Sequence, residues 1–278
     1  MRLLPFVTVA MLTLPGLVLA QDRWMTIPAP PAMPAPTTHG YAPVNGIRMY
    51  YATYGAGPPV LMIHGGLGHA DLWANQVIDL MADHLVIVAD SRGHGRSTRN
   101  ADPYGYDLMS EDYIALLDFL GIARVDLVGW SDGGIIGLDI AMTHPERLDH
   151  LFAHAANITV AGVDPAVATD AVFGQYIALM ADDYAAMSPT PGEFDAFVAQ
   201  IGEMWATQPN WTDAQVAAIT VPTTVVAGEY DEAILRPHTE MIADLIPGST
   251  LVILPDLSHF AMLQAPDEYT AAVRAAID

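Results

Sequence analysis

The sequence predicts an α/β fold in which a mostly parallel central sheet carries helices on both faces. Three observations predict it. Short, wholly apolar runs such as Val60–Ile63 and Leu85–Ala89 have the character of strands buried on both faces. Segments with apolar residues at helical spacing lie between them, as crossovers between parallel strands require. Glycine-rich turns close several of the runs.

The elements follow in chain order. Met1–Ala20 carries Arg2, an apolar run, and Val18-Leu19-Ala20 before Gln21, the pattern of a secretory signal cleaved after Ala20. Pro15-Gly16 interrupts that run, and no later segment approaches the ~20 continuous apolar residues of a membrane span. The mature protein is therefore expected to be exported, periplasmic or extracellular, with no membrane span after signal removal. Residues 21–40 include PAPPAMPAP and read as a Pro-rich linker. The folded domain is expected over residues 41–278.

Tyr41–Val44 and Ile47–Tyr54 read as a hairpin through Asn45-Gly46, whose residues supply the positive φ of such a turn. Val60–Ile63 ends at His64-Gly65-Gly66; Leu72–Met81 is helical; Leu85–Ala89 is the next strand. Glu111–Leu120 places Ile114, Leu117 and Phe119 on a helical pattern that stops at Gly121. Val125–Val128, the helix Ile135–Met142 and the strand Leu151–Ala155 follow, then Val225–Ala227, Leu251–Leu254 and a last helix from Pro266 to Ile277. Between Asn157 and Pro222 no strand is expected. There Phe173, Ile177, Met180, Tyr184 and Met187, then Phe194, Phe197, Ile201, Met204 and Trp205, recur at helical spacing. Such an insertion either packs onto the sheet or roofs a pocket.

Composition excludes several functions. The 278 residues include no Cys, which rules out a disulfide framework, a thiolate metal site and a thiol nucleophile. With 32 acidic and 10 basic residues and a net charge of −22, a nucleic acid would be repelled. A hydrophobic content of 52% is far too high for disorder.

Four motifs carry chemistry. Gly129-Trp130-Ser131-Asp132-Gly133-Gly134 joins an expected strand to an expected helix, the setting of a nucleophile elbow. Chance supplies roughly 0.04 GxSxG matches in a chain of this composition, and the strand–turn–helix context sharpens the signal further. A serine hydroxyl needs a base to attack. Of ten histidines, His259 is the one on a strand-end loop late in the chain, after the nucleophile. Asp231 follows Val225–Ala227 in the same way and is the candidate to orient the imidazole, with Glu229 and Glu232 as alternatives. Ser131, Asp231, His259 is the chain order of an α/β-hydrolase triad. Finally, His64-Gly65-Gly66-Leu67-Gly68 can bring backbone N–H groups to a substrate oxygen, so Gly66 and Asp132 are the expected oxyanion donors, with His64 bracing the loop. Asp90-Ser91-Arg92-Gly93-His94-Gly95-Arg96-Ser97 lacks a phosphate-loop pattern and reads as a structural turn.

On these motifs residues 41–278 resemble the α/β-hydrolase superfamily: the HGG loop, the segment ending RGHGRS, the GxSxG elbow, the GxxD turn and the late Ser258-His259-Phe260 stand in its order. The resemblance implies an α/β-hydrolase fold with a helical cap at about 160–221. It also implies a serine hydrolase acting on carboxylic esters through an acyl-enzyme, with no metal and no cofactor. Serine at 131 separates the chain from the branches with aspartate at the elbow. The sequence GWSDGG looks like that of the biphenyl-hydrolase-like enzymes, valacyclovir hydrolase among them, which cleave esters of α-amino acids. In that branch the residue matching Asp132 binds the substrate ammonium; as an alternative, Asp132 only favours the helix dipole. Asp132, Leu67 and Trp130 are the expected substrate contacts. Lactonase, perhydrolase or haloperoxidase chemistry on the same triad, and a non-catalytic ligand-binding role, are the alternatives.

Overall fold

A computed structural model describes residues 22–278. The expected export signal, Met1–Ala20, lies outside the described residues.

Eight strands form one sheet: β1 (Thr38–Val44), β2 (Ile47–Gly55), β3 (Pro59–Ile63), β4 (Leu85–Ala89), β5 (Val125–Trp130), β6 (Leu148–His154), β7 (Thr223–Gly228) and β8 (Thr250–Leu254). Their order is β1-β2-β4-β3-β5-β6-β7-β8. The β1–β2 and β2–β4 pairs are antiparallel and the rest parallel. Asn45 and Gly46 turn the hairpin with φ of 40° and 81°, the left-handed pair that matches strand twist. Every residue of β5 is buried, whereas β8, at the edge, is half exposed.

The helices are α1 (Ala74–Leu80), α2 (Tyr106–Leu120), α3 (Asp132–Thr143), α4 (Ala171–Met187), α5 (Phe194–Trp205), α6 (Asp213–Val216), α7 (Arg236–Leu245), α8 (Ala261–Gln264) and α9 (Pro266–Ile277). The stretch expected as one helix over Leu72–Met81 divides into a 3-10 turn, Ala70–Trp73, and α1. Helix α2 starts five residues before Glu111 and ends at Gly121, whose φ of 71° closes it. Phe119 does not face the core: it is half exposed and meets Tyr51 edge-on at 5.9 Å. Two residues beyond Leu117 is the wrong interval for the same helix face. Helix α7 had no sequence expectation, because its Arg, Pro, His and Glu hide the apolar residues.

Helices α4, α5 and α6 fill the interval between β6 and β7, with 3-10 turns at Val160–Gly162 and Pro165–Thr169. Asp170 caps α4 by accepting from the N–H groups of Val172 and Phe173. The aromatic stripes divide by depth. Tyr176, Met180, Tyr184, Phe197, Ile201 and Met204 are buried between helices and body, while Phe173, Ile177 and Trp205 are only partly covered.

The Pro-rich stretch is not a free tether. Ile27 and Met33 pack against the core, Thr37 already bonds to Thr53, and β1 begins at Thr38 rather than Tyr41. The apolar residues between the prolines give the extended backbone a surface to lie on.

Candidate active site

Strand β5 delivers Ser131 to a turn so tight that its φ is 56° and ψ is −121°. A non-glycine residue here is strained and persists only because its surroundings hold it. The Ser131 N–H donates to the His154 carbonyl at 2.8 Å, and its carbonyl accepts from Ile135 N–H at 3.0 Å. A Cβ on Gly129 would stand 2.2 Å from the Gly133 carbonyl oxygen, and one on Gly133 would stand 2.1 Å from that of Ile63. Glycine at both positions is what lets α3 approach β3 and β5. The hydroxyl of Ser131 makes no capping bond to the helix, and Ser131 lines the adjoining cavity.

Two further loops reach that edge of the sheet. After β7, the Oδ1 of Asp231 accepts from the backbone N–H groups of Ala233 and Ile234 at 3.0 and 2.9 Å. It also lies 2.9 Å from Nδ1 of His259. An ionised carboxylate only accepts, so Nδ1 carries the proton and Nε2 is left as an acceptor. Both side chains are almost wholly buried. Burial works against the charge on Asp231, yet His259 outweighs it and holds the carboxyl below its usual range. Burial likewise opposes the imidazolium, and Asp231, with Glu232 and Asp132 behind it, raises His259 above 6.5. The sequence alternatives fall elsewhere. Glu232 accepts from the backbone N–H of His259 at 3.0 Å, and Glu229 from that of Asp256 at 3.0 Å. Trp130 joins the elbow to the histidine loop by donating Nε1–H to the His259 carbonyl at 2.7 Å.

The glycine loop after β3 lies against the elbow: a Cβ on Gly65 would stand 2.9 Å from Cβ of Ser131. Tyr176 of α4 donates its hydroxyl to the Gly66 carbonyl at 2.8 Å. His64 accepts from Ser91 N–H through Nε2 at 2.9 Å, and its Nδ1 lies 2.7 Å from the Gly65 carbonyl. Burial lowers its pKa to about 4, as suits a neutral brace. The Asp90–Ser97 segment is a structural turn in which Asp90 accepts from the N–H groups of Ala70 and Arg96. Leu67, expected to touch substrate, instead takes a φ of 63° and sinks into the hydrophobic core, away from the cavity wall. The turn that presents Gly66 aims the next side chain inward.

Asp132 opens α3, but its carboxylate leaves the helix. It accepts from the Tyr106 hydroxyl at 2.8 Å and from Trp205 Nε1–H at 3.0 Å. Burial raises its pKa, against the pull of these two donors. No ion pair among the described residues involves it. Gln208 joins the group by accepting from Tyr106 N–H at 3.2 Å. These four residues line one part of a cavity of about 350 Å³, together with Gly66, Trp130, Ser131 and His259. Val160, Val163, Val167, Phe173, Ile177 and Ile234 make most of the remaining wall apolar, with Asn157 and Asp170 as its polar members. The structure thus brings Ser131, Gly66, Asp132, Trp130 and His259 to one cavity, with Asp231 behind the imidazole. Tyr106, Trp205 and Gln208 were not foreseen. The one signal for them was Trp205, which ends an aromatic stripe also compatible with packing alone.

A family model described as alpha/beta hydrolase fold matches residues 58–188. The chain is 30% identical over 251 residues to 3-oxoadipate enol-lactonase 2 of Acinetobacter baylyi, covering 82% of this chain and 92% of that protein. It is 27% identical over 245 residues to serine hydrolase BPHL of Mus musculus, covering 83% of each. A solved structure titled as Est816, an N-acyl homoserine lactone degrading enzyme, matches with a TM-score of 0.69 and 26% identity, covering 85% of this chain and 99% of that one.

Proposed function

The chain belongs to the alpha/beta hydrolase family, and from that premise we propose that it is a serine hydrolase cleaving carboxylic esters of small to medium size through an acyl-enzyme. One observation carries the reading. A buried imidazole, paired at 2.9 Å with a buried carboxylate, shares a cavity with a serine held in a strained elbow.

The steps follow from that arrangement. Ser131 Oγ attacks the ester carbonyl carbon as its proton passes to Nε2 of His259. Asp231 stabilises the imidazolium so formed, and the N–H groups of Gly66 and Asp132 receive the oxyanion. Collapse of the tetrahedral species breaks the C–O bond, and the departing alcohol takes the proton from Nε2. Water then attacks the acyl-serine, gives its proton to Nε2, and the acid leaves as Ser131 is reprotonated. Each oxyanion donor contributes on the order of 10²–10³ in kcat. The test is Ser131→Ala: turnover of a short p-nitrophenyl ester is expected to vanish with the unfolding midpoint unchanged, and retained turnover overturns the reading.

Asp132 supports a narrower substrate class, esters of α-amino acids. It is a buried carboxylate in the cavity wall, held by neutral donors, so a substrate ammonium would give it the opposite charge it lacks. Asp132→Asn should then depress kcat/KM for aminoacyl esters far more than for plain acyl esters; equal losses dismiss the idea. A second reading, lactone opening, is favoured by the likeness to an enol-lactonase and to a lactone-degrading enzyme. The chemistry is the same except that the alcohol stays tethered to the acyl group, and a panel of esters and lactones separates the two. We also propose that the enzyme is exported, so that N-terminal sequencing of protein from outside the cytoplasm should begin at Gln21; a start at Met1 contradicts it.

A further inference from the structure

We propose that Arg23–Thr26 form a strap that positions the loops bearing Asp231 and His259, with Gln264 as the positioning residue at its centre. The proposal rests on the triad reading above.

Gln264, at the end of α8 and nine-tenths buried, joins two segments far apart in sequence. Its Nε2 donates to the Thr26 carbonyl at 2.8 Å and to Ser258 Oγ at 2.9 Å, with the Trp24 carbonyl at 3.3 Å. Its Oε1 accepts from Ser258 N–H at 2.8 Å. Ser258 in turn donates its hydroxyl to Glu232 Oε1 at 3.4 Å, and the other oxygen of Glu232 takes the backbone N–H of His259 at 3.0 Å. An unbroken series of hydrogen bonds therefore runs from the strap carbonyls to the residue that carries the imidazole.

The strap touches the acid loop as well. The Trp24 ring stacks on Tyr230 with centroids 4.8 Å apart and planes 21° from parallel. Tyr230 directly precedes Asp231, and its N–H donates to the Leu257 carbonyl at 2.9 Å. The two loops meet backbone to backbone: a Cβ on Gly228 would lie 2.4 Å from the Ser258 carbonyl oxygen. Arg23 adds an exposed ion pair with Glu268 at 2.7 Å, which is peripheral. Loops need a rigid support to hold reacting groups in register, and here the support on the outer side is the strap.

Removing it should loosen the His259–Asp231 contact rather than empty the cavity. The test uses Gln264→Leu and Trp24→Ala in the full chain, with Trp24→Phe as the conservative variant and Ser131→Ala alongside. Gln264→Leu and Trp24→Ala are expected to lower kcat about tenfold with KM nearly unchanged. The rising limb of the pH profile should move down towards 6.5, because the raised pKa of His259 depends on Asp231. Trp24→Phe should restore both. Folded Gln264→Leu or Trp24→Ala protein with wild-type kcat and an unmoved limb overturns the strap, as does a Trp24→Phe variant no better than Trp24→Ala. Trp24 is only partly buried, so its variants keep the test decisive even where Gln264→Leu fails to fold. Activity in Ser131→Ala would instead strike the triad reading, so the two failures are distinct.

Discussion

Replacing Gly133 by alanine adds one methyl group at the second position of α3. That methyl would stand 2.1 Å from the Ile63 carbonyl oxygen, 2.6 Å from its carbon and 2.9 Å from the His64 carbonyl oxygen. All three are backbone atoms, so no side-chain rotation relieves the contact. Ordinary contact begins near 3.4 Å, and the helix must therefore retreat from β3 by about 1 Å, a shift that elsewhere can cost about 10²-fold in rate. The retreat carries Asp132, the proposed oxyanion donor, and Ser131 beside it. Overpacking of this kind costs about 1–3 kcal/mol, against which alanine returns up to ~1 kcal/mol of helix propensity. Gly202→Ala in α5 is the control, since its methyl meets nothing within 4 Å; it should stabilise the protein by up to ~1 kcal/mol with kcat intact. The assays are p-nitrophenyl ester turnover and urea unfolding. A Gly133→Ala protein with wild-type kcat and midpoint would refute the close approach of α3 to β3.

Other consequences are equally direct. Because protonated His259 cannot accept a proton and its pKa is raised, kcat/KM should rise with pH through a midpoint above 6.5, and a midpoint at or below 6.5 contradicts the pairing. The raised His259 stabilises the fold below pH 6.5 and loses that effect as pH rises through its folded pKa; the lowered Asp231 stabilises above 3.8 and loses it as pH falls. Urea midpoints of wild type and His259→Gln should thus differ most near about pH 5 and converge in alkali. Arg92 donates two bonds to Asp112, at 2.8 and 2.7 Å, with both side chains buried. Asp112→Ala leaves that guanidinium uncompensated and should cost about 3–5 kcal/mol in urea unfolding, whereas a loss below about 1 kcal/mol would mean water reaches Arg92.

Much of this molecule can be read before it is folded, and the readable parts share a cause. Wholly apolar runs such as Val60–Ile63 and Leu85–Ala89 admit few fates other than buried strands. In GWSDGG the backbone itself demands glycine, so the elbow leaves its mark on residue type. Tyr106 and Gln208 leave none, and Trp205 leaves only the end of an aromatic stripe that packing alone would also produce. Tyr106 opens α2, Trp205 ends α5 and Gln208 lies in the loop just beyond it; the three meet only because the interval between β6 and β7 folds back over Asp132. Glu232 was open to reading as a triad acid because its spacing matches Asp231; only the fold shows that it grips the backbone of His259 rather than its ring. Gln264 carried no signal at all, since the strap carbonyls it binds, those of Trp24 and Thr26, lie about 240 residues away in sequence.

The central claim is that Ser131 is made nucleophilic by His259. Mass spectrometry of the intact protein after treatment with a fluorophosphonate tests it most directly. One adduct per chain is predicted, located by peptide mapping to the peptide containing Ser131 and all but abolished in His259→Gln. An adduct on another residue, or equal labelling of the His259→Gln protein, would contradict the account.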